Sequence, residues 1–172
     1  MNIIGERVVL RALEEQDNEM LLSLINDPEI ECMIGGSSAP ISAEEQAAWF
    51  AALRERPDVI RCAIADKADP HTAVGTVILT DIDMKNGVAQ IHVKLAVRGA
   101  GYGTDAVKTM VKYAFEERRL QCVYAAVLAY NNASRRLFEK CGFKQEGVFR
   151  NRIFKQGQYV DEYVYSVLKE EF

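Results

Sequence analysis

The order of hydrophobic and polar residues divides this chain into strand-like and helix-like segments. Apolar or alternating runs predict strands, and apolar residues that recur every three or four positions predict amphipathic helices. The predicted strands are residues 7–13, 59–65, 73–81, 88–97, 122–130, 143–149 and 159–168. The predicted helices are one that begins at Asp17, one from Ser42 to Leu53, one over 104–119 and one from Asn131 or Asn132 to Lys140. Because strands and helices are interleaved along the chain, the pattern predicts an α/β (α+β) protein.

Several element boundaries carry local signals of their own. Asp17 precedes the first helical run and is predicted to cap it, and Ser42 with Glu45 forms a capping-box pattern. The amide side chain of Asn131 can cap the last helix, and Gly142 follows that helix as a C′ glycine. The residues Asp69-Pro70-His71 are predicted to form the turn between the second and third strands.

A glycine-rich turn, Arg98-Gly99-Ala100-Gly101-Tyr102-Gly103-Thr104, joins a predicted strand to a strongly helical run. Such a turn exposes the first backbone N–H groups of the helix, which form an anion site together with the helix dipole. The turn does not match the P-loop motif, which needs Lys-Ser/Thr after its last glycine, because the chain has Thr104-Asp105 there. The dinucleotide fingerprint is disfavoured, because the glycines alternate and lie past mid-chain. The turn therefore predicts a phosphate-bearing ligand of another class.

Length and composition fit one domain over residues 1–172. The chain has 172 residues, of which 49% are hydrophobic, and this suffices for one full core. The N-terminal residues become charged at Glu6 and Arg7, and no apolar run approaches the roughly 18 residues of a membrane span. We therefore expect a soluble, cytoplasmic protein that has no membrane partner.

Charge and cysteine usage narrow the possible partners. The formal net charge is -4, and no basic tract is longer than Arg118-Arg119, which weighs against nucleic acid and permits a cationic amine substrate. The 4 cysteines are widely spaced and form no CxxC pair, and His71 and His92 are the 2 histidines. This spacing predicts neither a metal site nor a disulfide framework.

Three features together resemble the GCN5-related N-acetyltransferases (GNAT). The glycine turn fits their Arg/Gln-x-x-Gly-x-Gly/Ala pattern, and the order of predicted elements is that of their fold. Residues 131–147 are similar to the family's N-x-x-[AS]-x-x-x-[YF]-x-x-x-G-F-x-x-E-G block. Arg11-Ala12-Leu13 and residues 26–29 and 157–161 resemble the branch of RimJ/RimL-type ribosomal-protein N-acetyltransferases and spermidine acetyltransferases. The resemblance implies a mixed sheet of about seven strands with helices on both faces, in which strands 88–97 and 122–130 part.

The resemblance also implies an activity. An enzyme of this kind transfers acetyl from acetyl-CoA to a primary amine by direct attack in a ternary complex, without a metal. The acceptor is a small amine or polyamine, or a protein N-terminal α-amine, and a homodimer is allowed. The residues that the resemblance assigns to acetyl-CoA binding are Val93, Lys94, Leu95, Arg98, Gly99, Ala100, Gly101, Tyr102, Gly103, Thr104, Asn131, Ser134 and Phe138.

The catalytic groups are harder to assign, because two positions depart from the family. Gln90 stands where many relatives have glutamate, and Phe138 stands where many have the tyrosine that is thought to protonate the thiolate. His92 is therefore a candidate base acting through water, and Ser134 resembles the serine that some ribosomal-protein-type members use as proton donor. A purely structural histidine and a helix-start serine are the alternatives, and Tyr130 is another candidate donor.

The two departures also keep a second function open, namely a catalytically silent acyl-CoA-binding or regulatory module. The acceptor pocket is expected between the first two helices, the flexible segment Gly35–Pro40 and the turn of the last hairpin. The identity of the acceptor is not encoded in any recognisable motif, because substrates differ widely inside the branch.

Overall fold

A computed structural model describes residues 1–36, 39–55 and 58–172 of the protein, with side chains for all of these except residues 54 and 55. Ser37 and Ser38 of the segment predicted to be flexible lie outside the described residues. None of the helices in the described ranges is both long and apolar enough to cross a membrane.

The strands are β1 (Ile3–Ile4), β2 (Val8–Arg11), β3 (Ile60–Asp66), β4 (Asp69–Asp83), β5 (Val88–Leu95), β6 (Cys122–Leu128), β7 (Lys144–Lys155) and β8 (Gln158–Leu168). The α-helices are α1 (Asn18–Ile25), α2 (Pro28–Glu31), α3 (Ala43–Ala51), α4 (Tyr102–Glu116) and α5 (Asn132–Lys140). The two-residue β1 and the four-residue α2 are too short to leave a periodic pattern, and the sequence did not predict them.

All the strands belong to one sheet, in the order β1-β2-β3-β4-β5-β6-β8-β7. Neighbouring strands are antiparallel except β5 and β6, which run parallel and are connected by α4. A parallel pair needs such a crossover, because the chain must return to the same end of the sheet. The predicted mixed α/β fold is therefore confirmed.

Helix α4 covers one face of the sheet and closes the main core. Its apolar stripe includes Val107, Met110 and Val111, which are fully buried against strand residues such as Leu10 and Ile91. Arg11 follows Leu10 and so points to the opposite face, where its guanidinium binds both carboxylate oxygens of Asp17, ahead of α1. Helices therefore lie on both faces, as the resemblance implies.

The buried Arg11–Asp17 pair corrects the predicted role of Asp17. Its side chain makes no capping bond to α1. It accepts instead from Arg11 at 2.8 and 2.9 Å, and from the N–H of Glu14 at 2.9 Å. A capping carboxylate and an ion-paired one look the same in the sequence, because the partner comes from the preceding strand.

Other boundaries differ from the predictions where backbone pairing overrides local signals. The turn predicted at residues 69–71 is wrong, because β4 already begins at Asp69 and pairs with Asp66 of β3. The strand predicted to end at Phe149 continues as β7 to Lys155, with a register shift between Phe149 and Ile153. The ends predicted for the other strands and helices shift by a few residues.

The predicted C-terminal signal of α5 is confirmed. Gly142 adopts a left-handed φ of 86° and donates to the carbonyl of Glu139, while the N–H of Phe143 donates to the carbonyl of Phe138. These two bonds form a Schellman motif, and the rings of Phe138 and Phe143 lie 5.0 Å apart, supplying its apolar contact.

Candidate active site

The central feature of the sheet is a gap between β5 and β6. The two strands pair only where Val88, Ala89 and Gln90 lie beside Cys122, Val123 and Tyr124. Beyond Gln90, β5 continues in register with β4, while β6 continues with β8. The parting of strands that the resemblance implies is therefore present in the structure.

The backbone of β5 is available on the gap side. The N–H of Ala96 donates to the carbonyl of Val74 at 2.9 Å, which fixes the even-numbered residues as those that bond to β4. By alternation, the N–H and C=O groups of Ile91, Val93 and Leu95 point into the gap. The gap therefore has a row of main-chain groups along one wall.

The glycine turn follows at the end of this wall. Gly99 and Gly101 adopt left-handed φ values of 87° and 80°, which residues with a Cβ disfavour. Helix α4 begins at Tyr102, two residues earlier than predicted, and its first internal bond runs from the N–H of Asp105 to the carbonyl of Gly101. The N–H groups of Tyr102, Gly103 and Thr104 thus have no partner within the helix.

Residues that the sequence reasoning missed brace this turn. Arg7 Nη1 donates to the carbonyl of Ala100 at 2.9 Å, and Tyr102 Oη donates to Asp66 Oδ2 at 2.6 Å. This bond from Tyr102 is the main cause that lowers the pKa of Asp66. Asp105, in the first turn of α4, accepts from the N–H groups of Glu6, Arg7 and Val8. These bonds join residues between 36 and 99 positions apart, and no spacing rule links such residues, so no local signal was available for them.

Gly103 is needed for close packing rather than for a left-handed backbone, unlike Gly99 and Gly101. A Cβ at this position would lie 2.8 Å from Leu137 Cδ1 and 2.9 Å from Leu95 Cδ1. The absence of a side chain therefore allows α4 to pack against both β5 and α5. Arg98 is exposed on the turn.

The N-terminus of α5 lies just past the end of β6. Asn131 Oδ1 accepts from the N–H of Ser134 at 3.0 Å, so the predicted cap of this helix is confirmed. Ser134 is half-buried in the first turn, and its hydroxyl has no hydrogen-bond partner within the described part of the chain. Phe138 is one turn further and is 3% exposed in the core, which leaves its ring little surface for a ligand.

His92 lies on the face of β5 opposite α4, with its Nε2 3.0 Å from Thr80 Oγ1. Thr80 Oγ1 also lies 3.1 Å from Asp81 Oδ2, a carboxylate oxygen that accepts only, so we assign the hydroxyl proton to that contact and the proton between Thr80 and His92 to Nε2. This arrangement leaves Nδ1 of His92 as the ring atom with a free lone pair. Burial, reinforced by the charge of Lys94 and opposed by that of Asp81, lowers the pKa of His92.

The other predicted β5 residues flank His92. Burial lowers the pKa of Lys94, which shares the face of His92, while Val93 and Leu95 pack against the core under α4. Gln90 and Tyr124 form the last pair before the strands part. Tyr124 was missed by the sequence reasoning, since an aromatic residue in an apolar run is more often core.

Glu162 is a second residue that was missed. It pairs with Leu128 at the end of β6, which places it on the sheet face of Tyr124 and away from α4. Burial raises the pKa of Glu162, and the charge of Arg152 opposes this shift. A half-buried carboxylate of this kind is suited to receive a cation.

These features can be compared with known proteins. A sequence profile described as Acetyltransferase (GNAT) domain matches residues 7–144. The chain belongs to the GNAT acetyltransferase family. Members of this family use acetyl-CoA, and this GNAT protein is thus an acetyl-CoA-dependent N-acetyltransferase by family.

Individual proteins similar to this chain support the family assignment. The GNAT chain is 33% identical over 170 residues to "SPbeta prophage-derived uncharacterized N-acetyltransferase YokL" of Bacillus subtilis (strain 168), covering 98% of this chain and 93% of that protein. It is 28% identical to the "Putative ribosomal N-acetyltransferase YdaF" of the same organism, covering 98% and 95%. Its fold is also similar to that of spermidine N-acetyltransferase from Vibrio cholerae, solved with CoA and spermine, with a TM-score of 0.89, 23% identity and coverage of 97% and 98%.

Proposed function

We propose that this GNAT protein transfers the acetyl group of acetyl-CoA to a primary amine, by direct attack within the gap between β5 and β6. The observation that carries the proposal is the continuity of the gap, since its free strand backbone leads directly to the open N-terminus of α4. The amine is a polyamine or other small amine, or a protein N-terminal α-amine.

The chain's groups fit acetyl-CoA. The N–H groups of residues 102–104 and the left-handed glycines before them suit a diphosphate, with Arg98 nearby as a cation. The main-chain groups of Val93 and Leu95 suit the amides of the pantetheine arm, and one of their N–H groups suits the acetyl carbonyl oxygen. Acetyl-CoA supplies the activated acyl group, and every other role falls to the chain.

His92 is the proposed base. The lowered pKa keeps its imidazole neutral at pH 7, and the bond to Thr80 leaves Nδ1 able to accept a proton. An amine arrives mainly as an ammonium ion, which must lose a proton before its nitrogen can attack a carbonyl carbon. We assign that proton to His92 Nδ1, reached through water.

Ser134 is the proposed relay to the leaving thiolate: its hydroxyl gives its proton to the sulfur and takes in turn the proton that the attacking nitrogen loses as the amide forms. Its hydroxyl is not engaged by any described residue, and it lies in the first turn of α5, where the helix dipole favours a nearby anion. Phe138 lies in the core and has no proton to donate, so it contributes packing only. Asn131 remains a proposed contact of the pantetheine arm.

The acceptor is proposed to be cationic before it reacts. Glu162, with Asp81 beside Thr80, gives the face opposite α4 two carboxylates near the gap. A carboxylate that is partly removed from water recovers its hydration loss when an ammonium ion pairs with it. This favours an amine over a neutral or anionic acceptor.

One experiment tests the proposal, namely release of CoA thiol by the purified protein over a panel of polyamines, small primary amines and peptides with free N-termini. We expect acetyl-CoA to raise the melting temperature. We also expect at least one amine to release thiol and to appear as its acetylated product. His92→Ala and Ser134→Ala should each lose most turnover with acetyl-CoA binding unchanged.

Matched controls are available for both substitutions. His71→Ala removes the other histidine, which is exposed, and Ser23→Ala removes an exposed serine of α1, so neither should change turnover. A rise in melting temperature without thiol release from any acceptor would instead identify a catalytically silent acyl-CoA-binding module. No response to acetyl-CoA would contradict both functions.

A further inference from the structure

Three successive backbone carbonyls at the end of α2 are held by side chains from elsewhere in the fold. Lys155 Nζ donates to the carbonyl of Glu31 at 3.2 Å. Tyr130 Oη donates to the carbonyl of Cys32, and Asn131 Nδ2 donates to that of Met33 at 2.9 Å. The donors come from β7 and from the turn between β6 and α5, about 100 residues or more along the chain.

The segment's own backbone bonds are short-range, from the N–H of Met33 to the carbonyl of Ile30 and from the N–H of Ile34 to that of Glu31, so they do not tie it to the sheet. Helix α2 spans only Pro28–Glu31, and the last carbonyls of any helix lack partners within it. The helix start is fixed locally, since Asp27 Oδ1 accepts from the N–H groups of Glu29 and Ile30. The helix end is fixed by the three donors, and these decide where the following residues lie.

The segment leads over the face of the sheet that carries the acceptor groups. A Cβ placed on Gly35 would lie 3.5 Å from Ile153 Cδ1 and 3.8 Å from Glu162 Oε1. Residues 31–36 therefore form a wall beside the half-buried carboxylate of Glu162. We call these residues the α2 wall.

Asn131 connects the α2 wall to the other side of the gap. Its Nδ2 holds the carbonyl of Met33, while its Oδ1 caps α5 through the N–H of Ser134. One amide side chain thus fixes both the wall and the helix turn that carries Ser134. An amide carries its donor and its acceptor on two separate atoms, so this side chain can make both bonds at once.

We propose that Tyr130 and Asn131 are positioning residues for the amine acceptor, which hold the α2 wall in place and, through Asn131, at a fixed distance from the N-terminus of α5. This inference rests on the proposed function for the location of the acceptor. It gives Tyr130 a different role from proton donation. Burial raises the pKa of Tyr130, so its hydroxyl remains a donor to the Cys32 carbonyl at neutral pH.

Two substitutions test whether Tyr130 and Asn131 hold the α2 wall or have another role. Tyr130→Phe removes only the hydroxyl and keeps the ring. Asn131→Asp keeps an oxygen that caps α5 but loses the donor to Met33, since carboxylates cap helices as well as amides do. Tyr159→Phe, at an exposed site on β8, and Asn132→Asp, which adds the same charge one residue further on, are the controls.

The first readout is hydrogen exchange of the whole protein, which needs no substrate. Exchange of peptides covering residues 28–36 should rise about fivefold in Tyr130→Phe and Asn131→Asp, and should be unchanged in both controls. Peptides covering α5 should exchange as in the wild type in Asn131→Asp. If peptides covering residues 28–36 exchange as in the wild type in both Tyr130→Phe and Asn131→Asp, the proposal is overturned.

The second readout is steady-state kinetics with spermidine and with a tetrapeptide that has a free N-terminus. In Tyr130→Phe, KM for the amine should rise about three- to tenfold, while kcat and KM for acetyl-CoA stay within about twofold of wild type. An unchanged KM for the amine, or a raised KM for acetyl-CoA alone, would overturn the acceptor role. If neither spermidine, the tetrapeptide nor any panel amine is acetylated, the proposed function fails. Hydrogen exchange of residues 28–36 then still decides whether Tyr130 and Asn131 hold the α2 wall.

Discussion

At the scale of single residues, His92 is controlled by two neighbours in different ways. With the Thr80 proton assigned to Asp81, the contact between Thr80 and His92 favours the tautomer that is protonated at Nε2. Lys94 shares the face of His92, and its charge makes the imidazolium less favourable. The tautomer and the pKa of His92 can therefore be perturbed separately.

Thr80→Val tests the tautomer. Valine has nearly the shape of threonine without its hydroxyl, so Nε2 loses its partner and the two tautomers become closer in energy. We expect kcat/KM to fall about fivefold, which corresponds to one hydrogen bond of about 1 kcal/mol. Thr80→Ser restores the hydroxyl and should recover most activity, whereas equal loss in both variants would favour a packing role.

Lys94→Gln tests the pKa. Removing the cation should raise the pKa of His92, so the acid limb of kcat/KM against pH should move to higher pH. In the wild type the limb should lie below the ordinary histidine value of about 6.5, since activity requires the neutral ring. Lys85→Gln, on an exposed hairpin, is the control, and an unmoved limb in Lys94→Gln would argue against His92 as the base.

At the scale of elements, the glycine turn is a backbone site held by distant side chains. Arg7 and Asp66 come from β2 and β3 or their flanks, and they grip the turn through Ala100 and Tyr102. The turn is thus held in place before any ligand arrives, as preorganised anion sites require.

Gly99→Ala tests whether the left-handed backbone is needed. A Cβ at Gly99 meets no atom within 4 Å, so the φ of 87° is the only cost. That cost is about 1–2 kcal/mol; alanine relieves it by leaving the left-handed region in the free protein, and binding must restore it, so we expect acetyl-CoA binding, measured by calorimetry, to weaken about tenfold. Gly147→Ala is the control, because a Cβ there also meets no atom within 4 Å but the residue has no left-handed φ, so this variant should bind acetyl-CoA normally. Normal binding in both variants would contradict the proposed diphosphate site.

The sequence predicted those elements whose signals are local. The cap at Asn131, the Schellman glycine Gly142 and the start of α3 at the Ser42–Glu45 capping box depend on neighbours within a few residues, and all three were correct. The capping role of Asp17 was wrong, and Asp66 and Glu162 were missed, for the opposite reason. Their partners or their burial depend on strands far along the chain, which no window of sequence contains.

At the scale of the whole molecule, one buried ion pair ties the approach to α1 to the sheet. Arg11 and Asp17 have side chains only 10% and 3% exposed, and Arg11 also donates to the carbonyls of Pro70 and His71 at the start of β4. The pair connects β2, the approach to α1 and the β3–β4 hairpin.

Asp17→Asn should therefore destabilise the fold. It leaves the buried guanidinium of Arg11 without a counter-charge, and we expect the free energy of unfolding in urea to fall by about 3 kcal/mol. Lys144→Met breaks the exposed pair with Glu171 and should leave stability nearly unchanged. Similar values for the two variants would mean that the buried pair is not a main tie.

The gap between β5 and β6 also separates the strands that are synthesised first from those that are synthesised later. Strands β1 to β5 pair only with their neighbours in sequence and end at Leu95, whereas β6, β7 and β8 pair among themselves after Cys122. Each ladder can thus form within its own half of the chain as the chain leaves the ribosome. Three residue pairs join the halves, so the cleft lies where the later half of the nascent sheet meets the earlier one.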